Sequence, residues 1–311
     1  MNIRRSLTPL VLALAGLILA GCSGPAAPAA SSASATTSAA SAPIAVVAST
    51  NVWGDLAAKV GGDRVSVTSI IDDPGKDPHE YEASAQNQLA LSKAQVVIEN
   101  GGGYDDFVDT MLASANNSSA TVLNAVTISG KTAAGGAELN EHVWYDFPTV
   151  TKVIDQIQST YSSLDASGAD TYAANATRLK TSIDALVQKE SELKSSYAGQ
   201  PVAITEPVPL YLLDAIGLEN RTPEEFSEAI EEDSDVAPAV LRETLKLYTD
   251  HAVKLLAYNE QTTGAETEAV LKAAQDNGIA VVPVTETLPQ GEDYVSWMTE
   301  NLDAVGAALA K

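Results

Sequence analysis

Two α/β lobes, each a mainly parallel sheet flanked by helices, joined by one long backbone helix, are the architecture this sequence predicts. Three observations carry it. Short apolar, often β-branched runs alternate with helix-patterned stretches between 44 and 128, which argues for a parallel sheet covered by helices. From about 150 to 195 no strand pattern occurs, and apolar residues recur at three-four spacing. Beyond 199 the alternation resumes.

In chain order, 44–49 (Ile-Ala-Val-Val-Ala-Ser) reads as a buried strand and 51–60 as a helix closed by Gly61-Gly62. A second strand covers 65–71, and a Pro/Gly-marked loop follows it. A helix is expected at 84–92, a strand at 94–99 ended by Gly101-Gly102-Gly103, a helix at 104–113 and a fourth strand at 121–128. Leu179, Ile183, Leu186 and Leu193 mark one face of a rod that spans at least 169–195, about 40 Å long. The second lobe opens with a strand at 202–205 and a helix at 210–216, and Thr222-Pro223 reads as the capped start of another helix. Strands at 253–258 and 279–284 and a last helix at 293–309 complete it. No sequence repeat relates the lobes.

The N-terminus predicts the compartment. Arg4 and Arg5 precede an apolar stretch from 7 to 20, and small residues lead into the one cysteine, Leu19-Ala20-Gly21-Cys22. That is the build of a secretory signal, and it looks like the bacterial lipobox, in which Cys22 is lipidated. Cys22 has no disulfide partner within the chain. The expected organisation is a signal peptide at 1–21 and a flexible tether at 22–43, uncharged and rich in Ser, Ala, Thr and Pro. An N-terminal lobe at 44–148, a linking helical segment at 149–198 and a C-terminal lobe at 199–311 follow. The whole chain carries 18 basic and 41 acidic residues, net −23. Loss of Arg4 and Arg5 with the signal would leave 16 against 41, or −25. Phosphate backbones would be repelled, so nucleic acid is excluded as a partner.

Only three histidines occur, and two stand among acids: Asp77-Pro78-His79-Glu80-Tyr81-Glu82 and Glu141-His142-Val143-Trp144-Tyr145-Asp146. Imidazole beside carboxylate suits a divalent transition metal. In open parallel sheets ligands collect beyond the carboxyl ends of strands. Two second-lobe carboxylates occupy such places: Glu206, after 202–205, and Glu286, after 279–284. His251 reads as a surface residue at a helix end, and the acids at 224, 225, 228, 231, 232, 233 and 235 as a solvated helix face.

These motifs, with Ser49-Thr50-Asn51-Val52-Trp53-Gly54, Gly61-Gly62-Asp63-Arg64-Val65 and Asn100-Gly101-Gly102-Gly103-Tyr104, come in a characteristic order. Over 44–311 the chain resembles the zinc/manganese/iron substrate-binding lipoproteins of bacterial ABC transporters, the cluster A-I proteins. The resemblance implies two lobes on a rigid helix and one metal held by four side chains: His79, His142, Glu206 and Glu286. Glu286 stands where the family usually has aspartate. Asp146 is a structural or supporting acid in this reading.

The implied role is capture of Mn²⁺ or Zn²⁺, with Fe²⁺ a third candidate, on the outer face of the cell membrane. The partners implied are an ABC permease and its ATPase, and the chain is expected to be a monomer anchored through Cys22. Many zinc carriers of the family have His as third ligand and a His-rich loop. Here the third ligand is Glu206 and 114–141 holds no histidine, which favours Mn²⁺ slightly, against the affinity order that favours Zn²⁺. A surface adhesin or receptor is the alternative. A metal-dependent hydrolase fits less well: four convergent ligands leave little room for catalytic water, and no His-Glu-x-x-His, Gly-x-Ser-x-Gly or phosphate loop occurs.

Overall fold

The structure, a computed structural model, describes residues 42–73, 81, 84–133 and 139–311. The expected signal peptide, Cys22 and nearly all of the tether lie outside them, as does His79. Among the described residues no helix is long and apolar enough to cross a membrane.

The first lobe holds strands β1 (Ile44–Thr50), β2 (Val65–Ile71), β3 (Val96–Glu99) and β4 (Thr121–Asn124), all parallel, in the order β2-β1-β3-β4. The second holds β5 (Pro201–Ile204), β6 (Glu219–Asn220), β7 (Leu255–Asn259) and β8 (Ala280–Val284), also parallel, in the order β6-β5-β7-β8. The two sheets therefore repeat one topology, although no sequence repeat announces it. Central strands β3 and β7 are buried along their whole length, as strands covered on both faces must be.

Helices α1 (Asn51–Gly61), α2 (Ala85–Lys93), α3 (Phe107–Ala115) and α4 (Ala125–Ser129) belong to the first lobe. The fourth predicted strand ends at Asn124 rather than 128, because the Asn124 side chain accepts from the Thr127 N–H and starts α4. The linking stretch is two helices, α5 (Phe147–Leu164) and α6 (Ala169–Tyr197), turned back on one another at 165–168. Asp146 caps α5 by accepting from Thr149 N–H at 3.0 Å, and it pairs with Lys131 at 3.2 Å. It is the structural acid the sequence suggests. With 29 residues, α6 is roughly 43 Å long.

Helices α7 (Leu210–Ile216), α8 (Glu224–Glu231), α9 (Pro238–Thr249), α10 (Ala265–Asp276) and α11 (Tyr294–Leu309) complete the second lobe. Thr222 does not cap α8. Its hydroxyl accepts from Ile204 N–H (2.9 Å) and donates to Ile204 C=O (3.1 Å), tying the start of α8 to the end of β5. Asp293 and Ser296 cap α11 reciprocally.

One apolar cluster runs from α1 and the inner face of the first sheet, through α5 and α6, to α7, α11 and the second sheet. It includes Trp53, Tyr145, Tyr161, Ile183, Trp297 and Leu302, all buried. Polar contacts reinforce it between the lobes: Asn51 Nδ2 donates to Leu288 C=O (3.1 Å) while Leu288 N–H donates to Asn51 Oδ1 (2.9 Å). Tyr294 N–H donates to Asp55 (3.1 Å), and Lys59 pairs with Asp293 at 2.9 Å.

If α6 carries this shared core, Ile183→Ala should cost about 2–5 kcal/mol in urea unfolding. Val187→Ala, four residues on and 40% exposed, should stay within about 0.5 kcal/mol.

Candidate metal site

The first lobe's contribution begins where β3 ends. Asp105 accepts from the backbone N–H groups of Asn100 (2.6 Å) and Gly101 (2.7 Å), folding the Asn-Gly-Gly-Gly turn around its carboxylate. Gly101, Gly102 and Gly103 all have positive φ, and a Cβ on Gly101 would meet the Asn124 side chain at 2.2 Å. The turn delivers Tyr104, 2% exposed, to the crevice between the lobes. Asn100 Nδ2 reaches Glu141 C=O at 2.9 Å and joins this turn to the segment that carries His142.

His142 is fully buried, between Tyr104 (ring centroids 5.9 Å apart) and Trp144 (5.0 Å), edge-on to both. Its tautomer follows from a neighbour. Asn140 Nδ2 donates to Pro207 C=O at 3.0 Å, which turns Asn140 Oδ1 toward the ring. That oxygen lies 2.9 Å from Nδ1 and also accepts the His142 backbone N–H at 3.0 Å. An amide oxygen can only accept, so Nδ1 carries a proton and Nε2 is turned toward Glu231, 3.4 Å away. Asn140 thus orients a first-lobe imidazole while holding the second-lobe turn next to Glu206. Tyr211 adds to the link, donating to Asn140 C=O at 2.7 Å.

In the second sheet, β5 and β7 lie at the point where strand order reverses, and their carboxyl ends frame the site. Glu206, 3% exposed, follows β5, where Thr205 N–H bonds Ala257 C=O. Glu286, 1% exposed, follows β8. Asn259 at the end of β7 donates to Glu286 Oε1 at 2.8 Å and to Thr262 Oγ1 at 3.2 Å. Gln261 Oε1 accepts the Glu286 N–H at 2.5 Å and its Nε2 donates to Thr287 Oγ1 at 2.9 Å, shaping the turn. Tyr145 donates to Thr285 C=O at 2.8 Å from the opposite lobe.

The acidic run 224–235 departs from the sequence reading. Most of it is solvated, but Glu231 is not: its side chain is 12% exposed and one oxygen lies 3.4 Å from His142 Nε2. The cause is helical geometry. Phe226 and Ile230 anchor α8 in the core. Ser227, Glu228 and Glu231, at three-four spacing, then line a cleft of about 780 Å³ with Gly102, Asn140 and Glu141. Among the described residues the tight three-donor group is Glu141, His142 and Glu231, whose ligand atoms lie within 4.8 Å of one another. Glu206 and Glu286 are not part of that group. The charges of Glu231 and Glu286 both bear on Glu206. His251 is exposed in a left-handed turn after α9, as expected of a surface residue.

The electrostatics describe a crevice short of positive charge. Burial first, then the carboxylates of Glu231 and Glu286, push Glu206 up to about 9. Burial, then the charge of Glu286, holds the Tyr104 phenol well above its usual range, so it stays a hydrogen-bond donor. Buried carboxylates beside an imidazole are residue types whose chemistry suits a divalent cation.

Sequence reasoning named His142, Glu206 and Glu286, which the structure buries, and did not single out Glu231 or Tyr104, which lie beside them. The three-four spacing of 224, 227/228 and 231 was the available signal for Glu231. Seven acids in twelve residues gave no reason to prefer one.

Comparison with known proteins bears on the family and the fold. The manganese-binding lipoprotein MntA of Bacillus subtilis is 26% identical over 243 residues, covering 76% of this chain and 78% of that protein. The manganese ABC transporter substrate-binding lipoprotein PsaA of Streptococcus pneumoniae is 24% identical over 323 residues, covering 98% of each. The periplasmic zinc-binding protein TroA of Treponema pallidum shares the fold, with a TM-score of 0.73 at 18% identity over 87% of this chain and all of that one. These relatives are metal-binding and transport proteins, not enzymes. Residues 46–308 match the family described as ZnuA, zinc-uptake complex component A, periplasmic, and the chain belongs to that family.

Proposed function

We propose that this chain is an extracytoplasmic lipoprotein, anchored through Cys22, that captures Mn²⁺ ahead of Zn²⁺ and delivers it to an ABC permease. The observation that supports this reading is the burial of His142 in the first lobe and of Glu206 and Glu286 in the second, with the Glu231 carboxylate 3.4 Å from His142 Nε2 and its charge bearing on Glu206. His79 is the remaining donor, from the motif resemblance. Two neutral imidazoles and two carboxylates balance a divalent charge, so the loaded site avoids burying net charge. Carboxylate oxygens favour Mn²⁺ more than a His-rich set would. The names of MntA and PsaA support the same metal, that of TroA supports zinc.

The core shared by the two lobes and the contacts from Asn51, Asp55, Lys59 and Asn140 oppose wide opening. Release therefore uses small movements of the second-lobe turns at 205–209 and 285–289, driven by docking on the permease. The protein works as a monomer, with the ATPase acting only through the permease.

Calorimetry with Mn²⁺ and Zn²⁺ tests the ligand set. His79→Ala and His142→Ala should weaken binding most and Glu286→Ala somewhat less, each by on the order of tenfold or more. Unchanged affinity in all three would end the assignment.

The pH dependence has opposite signs for stability and for binding. Glu206 is raised in the folded, metal-free protein from 4.5 to about 9. Its contribution to stability is present below about 4.5 and is lost as pH rises toward 9. The Tm of the metal-free protein should fall from pH 5 to 9, and Glu206→Gln should flatten that slope. Metal affinity should rise over the same range, because the cation displaces a proton.

A further inference from the structure

On the metal-carrier reading above, which this rests on and deepens, we propose that Asn140 is a positioning residue that sets how fast the captured ion leaves. Its amide latches the His142 ring to the second-lobe turn at 205–209, and release breaks that latch. Four contacts place this one residue. Its Oδ1 accepts the His142 backbone N–H at 3.0 Å and the Nδ1 proton at 2.9 Å. Its Nδ2 donates to Pro207 C=O at 3.0 Å, and its own carbonyl accepts the Tyr211 hydroxyl at 2.7 Å. The last two cross between the lobes, one to the residue next after Glu206 and one to α7.

The position demands both an acceptor and a donor, set apart on one rigid group. Pro207 offers a carbonyl, while His142 offers two N–H groups. Only Asn and Gln carry separate accepting and donating atoms on one planar side chain. Asn is the shorter, suited to a backbone N–H two residues on. Asp would accept from His142 but set a carboxylate against the Pro207 carbonyl.

The latch is braced from outside. Lys131 Nζ stands 4.2 Å from the centre of the Tyr211 ring and 3.2 Å from Asp146, so a first-lobe cation holds the ring whose hydroxyl grips Asn140. Pro207 C=O also accepts the Leu210 N–H at 3.0 Å, which ties the turn to the start of α7. Turning Pro207 away therefore frees the amide that orients His142 and shifts Glu206, its neighbour in the chain. Asn140, Pro207 and Leu210 line the cleft of about 780 Å³, so this movement has open space beside it.

The test uses the full-length chain in detergent, loaded with Mn²⁺ alone. Stopped flow into excess chelator times release, and ¹⁵N NMR of the metal-free protein follows the Nδ1 proton of His142. Asn140→Ala should lose the slowly exchanging Nδ1 proton and release Mn²⁺ on the order of tenfold faster. Asn140→Asp keeps an acceptor for Nδ1 and removes the donor to Pro207. It should restore the Nδ1 signal and still release Mn²⁺ about threefold faster or more. Its added negative charge would by itself slow the loss of a cation, so the acceleration reports the lost Pro207 contact. Release from Asn140→Asp at the unmodified rate, or a retained Nδ1 signal in Asn140→Ala, would overturn the proposal and leave the carrier reading standing. Absence of Mn²⁺ binding by the unmodified chain would sink both. Should the Asn140 variants fail to fold, Tyr211→Phe, which removes one hydroxyl, replaces them, with faster release expected and an unchanged rate fatal.

Discussion

Like charges crowded into a buried crevice are the constraint on which the rest of this structure depends. The charges of Glu231 and Glu286 bear on the buried Glu206, and the His142 imidazole lies 3.4 Å from Glu231. Such a cluster is unfavourable by itself, because each carboxylate loses hydration and gains repulsion. Protons relieve part of that repulsion, which is why Glu206 holds its proton far above the usual carboxylate range. A divalent cation relieves more, and it restores the donors to their charged forms.

Holding that cluster in place falls to the scaffold. The apolar core is continuous from one sheet to the other, and α5, α6 and α11 belong to it as much as either sheet does. Polar links cross between the lobes beside the donors: Asn51 with Leu288, Tyr145 with Thr285, Asn140 with Pro207. Asn140 is the tightest of these couplings, since one amide fixes the tautomer of His142 and grips the turn that carries Glu206. A movement of that turn would disturb His142 and Glu206 together.

Much of this was legible in advance. Apolar runs and helix spacing located nearly every element, because burial on both faces of a parallel strand leaves a local signature. Glu206 and Glu286 were readable from their positions at strand ends, and His142 from its rarity and acidic neighbours. Other features left no local trace. The equivalence of the two sheets lies in strand order, which many unrelated sequences satisfy. Asn124 looked like strand until its side chain was seen capping α4, and the hairpin between α5 and α6 hides in a stretch that is helical on either side.

The chain alone determined the class of fold and the strand ends beside which Glu206 and Glu286 stand, because propensity, periodicity and residue type act over short distances. Which carboxylates meet was decided only by the tertiary structure. Glu231 is one acid in a run of seven, and nothing nearby in the chain marks it out. Packing of Phe226 and Ile230 sets the rotation of α8, and that rotation sends Glu231 to His142 while its neighbours stay in water. Long-range packing chooses among residues that local forces leave equivalent.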